Sequence, residues 1–159
     1  MTVTCLIDTS ILVYPFDPRD QAKQAIARER LRVGLGRHVI PHQALVEFFA
    51  AVTKPRADLA GQSLMSRKAA IERVERLQRQ FTVLWPDAHV LSAALHGVVA
   101  YGLSWFDAHL WAYAQVHGIA EILSEDFEHG RHYGRVRVTN PFVSGVDELP
   151  PLFGATSMA

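Results

Sequence analysis

One cysteine, Cys5, stands in 159 residues. That excludes an intramolecular disulfide and a cysteine-ligated zinc site, and in its apolar setting the thiol reads as a small core residue. An excess of either charge is also lacking. Sixteen Lys and Arg balance sixteen Asp and Glu, so no global field points to nucleic acid or to a membrane surface. No apolar run approaches the length of a membrane span, and no basic segment followed by an apolar one opens the chain. A soluble cytoplasmic protein with no membrane partner is therefore the expectation. There is no internal repeat and no low-complexity segment, and Gly34-Leu35-Gly36 is too short for a phosphate-cradling loop. With 49% hydrophobic residues, the chain can form one domain with a proper core.

Strand and helix signals alternate along it. An apolar run through Ile7 stops at Asp8, Thr9 and Ser10 offer caps for a brief helix, and Pro15 stops that helix. Gln21 to Leu31 is rich in helix formers. His38 to Pro41 reads as a strand. Gln43 to Thr53 carries Leu45, Phe48, Phe49 and Val52 at helical spacing. Ser66 to Gln80 is a second amphipathic helix, and Thr82 to Trp85 a short strand. Ala88 to Ala100 and Ser104 to His117 read as helices, Ile119 to Leu123 and Val136 to Thr139 as strands, and Ser124 to Tyr133 as a polar connection. This alternation predicts a three-layer α/β/α domain with a central, mainly parallel sheet. Residues 1–142 form the domain, and 143–159, with Pro150-Pro151, read as a loosely ordered extension.

Four acids draw attention through their positions. Asp8 ends the first strand, where open parallel sheets bind ligands, although helix capping explains it equally well. Glu47 lies on the helix after the second strand, roughly opposite the Leu45/Phe49/Val52 stripe, and periodicity alone makes it a solvated residue. Asp107 heads the stripe of Leu110, Trp111 and Ala114. There it either completes a capping box with Ser104 or points into a cleft. Glu125 and Asp126 follow a strand directly. Carboxylates gathered at one edge repel one another and raise each other's pKa values. A cation offsets that repulsion, and all-oxygen ligation suits Mg²⁺ or Mn²⁺. Eight histidines invite a metal reading, but His89 and His96 are seven apart rather than four, His129 and His132 border a glycine-containing turn, and none reads as a structural metal ligand. Trp105, Phe106 and Trp111 read either as core or as platforms for bases.

Ile7-Asp8-Thr9-Ser10-Ile11-Leu12, Val46-Glu47-Phe48-Phe49, Ser104-Trp105-Phe106-Asp107-Ala108 and Leu123-Ser124-Glu125-Asp126-Phe127 together resemble the successive motifs of the PIN domain, and within it the VapC-type toxins. Val136 to Phe142 resembles the closing strand of such proteins, so the likeness runs from Thr4 to Phe142. Each motif is short; the ordered set is the specific signal. The resemblance implies a Mg²⁺- or Mn²⁺-dependent ribonuclease, the toxin of a toxin–antitoxin pair, inhibited by a cognate antitoxin and working as a homodimer. Matched residue by residue, Asp8, Glu47, Asp107 and Asp126 take the four acidic positions as metal ligands and catalytic groups. Ser10 takes the hydroxyl that supports Asp8, and Glu125 is the alternative to Asp126. His109 departs from the aliphatic residue of many relatives.

An acidic pocket repels RNA, so basic groups must flank it. The run from Lys54 to Arg79, with Arg73, Arg76 and Arg79 as RNA-binding residues, is the first candidate, and Arg131, Arg135 and Arg137 are the second. Both also fit a solvated face. The apolar helices, notably Phe48, Phe49 and Trp111, add to the expectation of a homodimer. Two other readings stand beside the nuclease. A haloacid-dehalogenase-type phosphatase would carry a second Asp where Ser10 stands. A PIN-like RNA- or protein-binding module without catalysis would be signalled by a missing acid, and none is missing.

Overall fold

A computed structural model describes residues 4–143, so the expected extension, beyond Val143, lies outside the described residues. The elements are β1 (Cys5–Ile7), α1 (Thr9–Val13), a 3-10 turn at Tyr14–Phe16, α2 (Gln21–Gly34), β2 (Val39–Pro41) and α3 (His42–Thr53). After a 3-10 turn at Ala57–Leu59 come α4 (Arg67–Gln80), β3 (Thr82–Leu84), α5 (Ala88–Tyr101), α6 (Trp105–Val116), β4 (Glu121–Leu123), β5 (His132–Tyr133) and β6 (Val136–Thr139). The strands form one sheet in the order β3-β2-β1-β4-β6-β5. All neighbours are parallel except the terminal β5–β6 hairpin. The expected α/β architecture is therefore observed.

Strand alternation explains the three layers, since successive side chains point to opposite faces. Cys5 and Ile7 of β1 join the core beneath α1–α4, with Ile40, Phe48 and Leu77. Leu6, between them, joins the core beneath α5 and α6, with Ile122, Trp111 and Val138. Both faces of the central strands are covered, which is why they read as short unbroken apolar runs. Side-chain caps place the helix starts: Asp20 accepts from Lys23 N–H at 3.0 Å, Ser66 from Ala69 N–H at 3.1 Å and Asp87 from Val90 N–H at 3.0 Å.

The pairing of α5 with α6 depends on one small residue. A Cβ on Gly97 would stand 2.8 Å from the Trp111 ring, so only glycine lets the two helices approach this closely. Trp111 is buried, and its indole N–H donates to the Tyr133 carbonyl at 3.0 Å. This corrects two expectations. The polar connection before Val136 contains β5, an edge strand too short to show alternation, joined to β6 through Gly134 at φ +63°. Trp111 and Phe48 are filled in by their own domain, so they cannot form the face of a homodimer. The exposed apolar side chains include instead Leu91, Leu95 and Val99 on α5, with Val46, Ile71, Trp85 and Phe106. Among the described residues, no helix is long and apolar enough to cross a membrane.

Candidate active site

The acids meet at the carboxyl end of the central strands because of register. Ile7 pairs with Leu123 across the parallel β1–β4 ladder, and Asp8 N–H extends it by donating to the Leu123 carbonyl at 3.0 Å. The residues following each strand, Asp8 and Ser124, are therefore neighbours. Asp8 is buried and both its oxygens are engaged: Oδ1 accepts from Thr9 N–H at 2.6 Å and Oδ2 from the Ser124 hydroxyl at 2.5 Å. The same Ser124 oxygen accepts from Asp126 N–H at 3.1 Å. Asp8 thus both caps α1 and faces the other acids; the two expected roles coexist.

The supporting hydroxyl is a correction. Ser10 sits at the second position of α1, and its Oγ is buried with no hydrogen-bond partner. The hydroxyl on Asp8 comes from Ser124, 116 positions along the chain. No local pattern shows this, since the β1–β4 register decides it.

Glu47 is half-buried and turned toward the site, not solvated. Its Oε2 accepts from the Thr9 hydroxyl at 2.7 Å and its Oε1 from Gln43 Nε2 at 2.8 Å. Gln43 also donates to the Phe106 carbonyl at 3.1 Å, tying α3 to the first turn of α6. There Asp107 N–H donates to Ser104 Oγ at 3.3 Å. Among the described residues the return bond from the Asp107 carboxylate is not made, so the capping box is half-formed. The carboxylate instead acts electrostatically on Asp126.

Like charge and burial set the protonation of this edge. The Asp8 carboxyl is pushed up to about 7, first by burial and then, against the bonds from Ser124 and Thr9, by Asp126 and Glu47. Asp126 is also raised, first by partial withdrawal from water and then by Glu125, Asp107 and Glu47, while a hydrogen bond with Asp8 pulls the other way. Glu125 stands apart. It accepts from the Tyr14 hydroxyl and pairs with Lys23 Nζ at 2.8 Å, so it has a cation of its own although it still acts on Asp126.

An open cavity of about 380 Å³ is lined by Thr9, Ser10, Glu47, Glu125 and Asp126 together with Asp17, Arg19 and Arg56. Arg73, Arg76 and Arg79 do not line it. Arg73 lies over the Phe16 ring at 4.7 Å and borders a different groove, with Leu12 and Leu77. Arg19 and Arg56 line the cavity with the acids, and Lys23 pairs with Glu125; a count of charges along α4 does not reveal them. His109 makes an edge contact with Trp105, ring centroids 4.5 Å apart.

A family model described as PIN domain matches residues 5–134. The chain belongs to the PIN domain family. This sets aside the dehalogenase reading. No curated protein sequence matches the chain. Among solved structures, a toxin–antitoxin complex from Klebsiella pneumoniae is similar at a TM-score of 0.64 and 17% identity, covering 87% of this chain and 98% of that one. DNA-bound VapBC from Salmonella typhimurium is similar at 0.63 and 14%, covering 88% and 99%. VapC20 of Mycobacterium tuberculosis, a sarcin–ricin loop cleaving toxin, is similar at 0.58 and 20%, covering 77% and 92%. At these identities the likeness speaks for the PIN fold.

The donors of this PIN domain fit a hard divalent ion in kind: all are carboxylate oxygens, and like charge raises two of them. Among the described residues, no three His, Cys, Asp or Glu side chains converge on one point.

Proposed function

We propose that this PIN domain is a Mg²⁺- or Mn²⁺-dependent endoribonuclease, the toxin of a toxin–antitoxin pair held inactive by a cognate antitoxin. The observation that carries the reading is the gathering of Asp8, Glu47, Asp107 and Asp126 at the carboxyl edge of the sheet, with Asp8 raised to about 7. A buried carboxyl held so far above its ordinary range, first by burial and then by Asp126 and Glu47, is the kind of perturbed group that functional sites collect. Asp8 and Asp126 would hold the ion, with Glu47 and Asp107 reaching it directly or through water. When bound, the ion supplies activation of water and neutralisation of charge on the phosphate. The chain's own residues orient and position. Ser124 fixes Asp8 and the Asp126 backbone at once, and Thr9 and Gln43 hold Glu47 facing the cavity.

The likeness to toxin–antitoxin complexes supports an antitoxin partner. A homodimer is supported by Leu91, Leu95 and Val99, which lie four apart on α5 and are exposed; a monomeric mass at high concentration would exclude it. The non-catalytic module is disfavoured, because no acid of the set is missing. The purified protein is expected to cut single-stranded or looped RNA with Mg²⁺ or Mn²⁺ and to stop in excess chelator. Equal cleavage in chelator would refute the metal dependence, and no cleavage of any RNA in a varied panel would refute the nuclease.

A further inference from the structure

The acid-lined cavity carries two arginines whose situations differ. Arg19 is neutralised: its Nη2 pairs with Asp17 at 2.5 Å, its Nε donates to the same carboxylate at 2.8 Å, and its Nη1 pairs with Asp58. Arg56 follows Pro55 just past α3 and is half-buried. Among the described residues it has no carboxylate within ion-pair distance. Its Nη2 donates to the Ala51 carbonyl at a long 3.3 Å, and its Nε is buried with no partner. A buried guanidinium N–H without an acceptor is costly. Here it lines the same cavity as Glu47 and Asp126.

We propose that Arg56 anchors a backbone phosphate of the RNA strand, next to the one cut at the acids, supplying the acceptor that its Nε lacks. The inference rests on the nuclease reading and adds to it the residue that holds the substrate against an acidic wall. A guanidinium suits the task because its planar fork meets phosphate oxygens in pairs. It also relocates substrate binding from the α4 arginines to the loop after α3.

The competing account is structural: Arg56 does no more than close the carboxyl end of α3 through Ala51. Binding of a fluorescent single-stranded RNA oligonucleotide in chelator, titrated with salt, separates the two, together with steady-state cleavage in Mg²⁺. Arg56→Gln should lower the log–log salt slope by about 0.7, the value for one phosphate contact on a single strand. It should raise KM about tenfold while kcat changes far less, the mark of lost ground-state binding. Arg56→Lys should restore the salt slope and only part of the affinity, because it keeps the charge and loses the fork. Arg37→Gln, an equal charge change at the exposed turn before β2, should leave both quantities as in the parent. A structural role predicts a lower melting temperature with slope and KM unchanged; that result overturns the proposal. So does a slope lost only on neutralising Arg73, Arg76 and Arg79 together. If Arg56→Gln does not fold, the lysine variant decides: a parental KM, with nothing lost with the fork, overturns the anchor. A parent protein that neither binds nor cuts RNA overturns the nuclease reading and the anchor with it; a parent that cuts RNA with Arg56→Gln indistinguishable overturns the anchor alone.

Discussion

The two ends of the parallel sheet handle buried charge in opposite ways. At the amino end, Cys5 stands across the ladder from Glu121, and Cys5 N–H donates to His38 Nδ1 at 3.2 Å. Glu121 accepts from the Thr139 hydroxyl at 2.7 Å, and Arg30 lies close enough to oppose its effect on Cys5 and His38. The Cys5 thiol is pushed up to about 12 by burial and then by Glu121, which keeps it protonated and inert. At the carboxyl end, Asp8, Glu47, Asp107 and Asp126 gather, and each of the two shifted carboxyls is raised first by burial and then by its acidic neighbours. Glu125, one residue from Asp126, shows that compensation was available there too, through Lys23 and Tyr14. The proposed binding chemistry lies at the end where carboxylates oppose one another rather than the end where Arg30 opposes Glu121.

The widest separation between the ends should appear in cleavage. Asp8→Asn, Asp126→Asn or Glu47→Gln should each abolish RNA cleavage in Mg²⁺, whereas Glu121→Gln should retain it and at most lower the melting temperature. Cleavage by Asp126→Asn at the parental rate would transfer the role to Glu125.

A smaller effect concerns pH. The folded Asp8 carboxyl titrates near 7, above the unfolded value of about 3.9. The folded state therefore holds a proton that the unfolded state has lost between those values. The cost of ionising this buried carboxyl is absent below about pH 4, and stability falls as pH rises to about 7, by up to about 1.4 kcal/mol per pH unit. Melts of metal-free protein across that window should show the decline, and Asp8→Asn should flatten it. A flat parental profile would mean that neither burial nor the neighbouring acids hold Asp8 above its unfolded range.

The smallest effect separates two hydroxyls. Ser124→Ala removes the bonds to Asp8 and to Asp126 N–H and should cost about 1 kcal/mol. Ser10→Ala removes a buried oxygen with no partner and should be neutral or slightly stabilising. Denaturant midpoints of the two variants check this, and the reverse ranking would restore Ser10 as the support of Asp8.

The parts of this site that were legible in the sequence are those that local physics decides. Asp8 announces itself because an apolar run stops at it, and Asp107 because an acid heads an apolar helical stripe. Glu47 is ambiguous by periodicity, since a helix wheel shows a face but not what that face meets. Thr9 and Gln43 make it part of the site. Ser124 is invisible as the support of Asp8 because that contact depends on the Ile7–Leu123 register, and register is a property of the assembled sheet. The arginines mislead for the same reason. Density along α4 is readable, but which guanidinia come to line the acid cavity is not, and Arg19 and Arg56, which do, lie before α2 and beyond α3. Phe48 and Trp111 look like surface capital for a dimer until their own domain is found to cover them.

Thermal melts of the parent and Asp8→Asn near neutral pH, each with and without Mg²⁺, test the central claim most directly. Without metal, the variant should melt at or above the parent, because one of the opposed charges is gone and Asn still accepts the capping bond from Thr9 N–H. Magnesium should raise the parent's melting temperature by binding only its folded state, and should raise the variant's far less. An Asp8→Asn protein that gains the parent's full Mg²⁺ shift and still cuts RNA would contradict the account and place the site elsewhere.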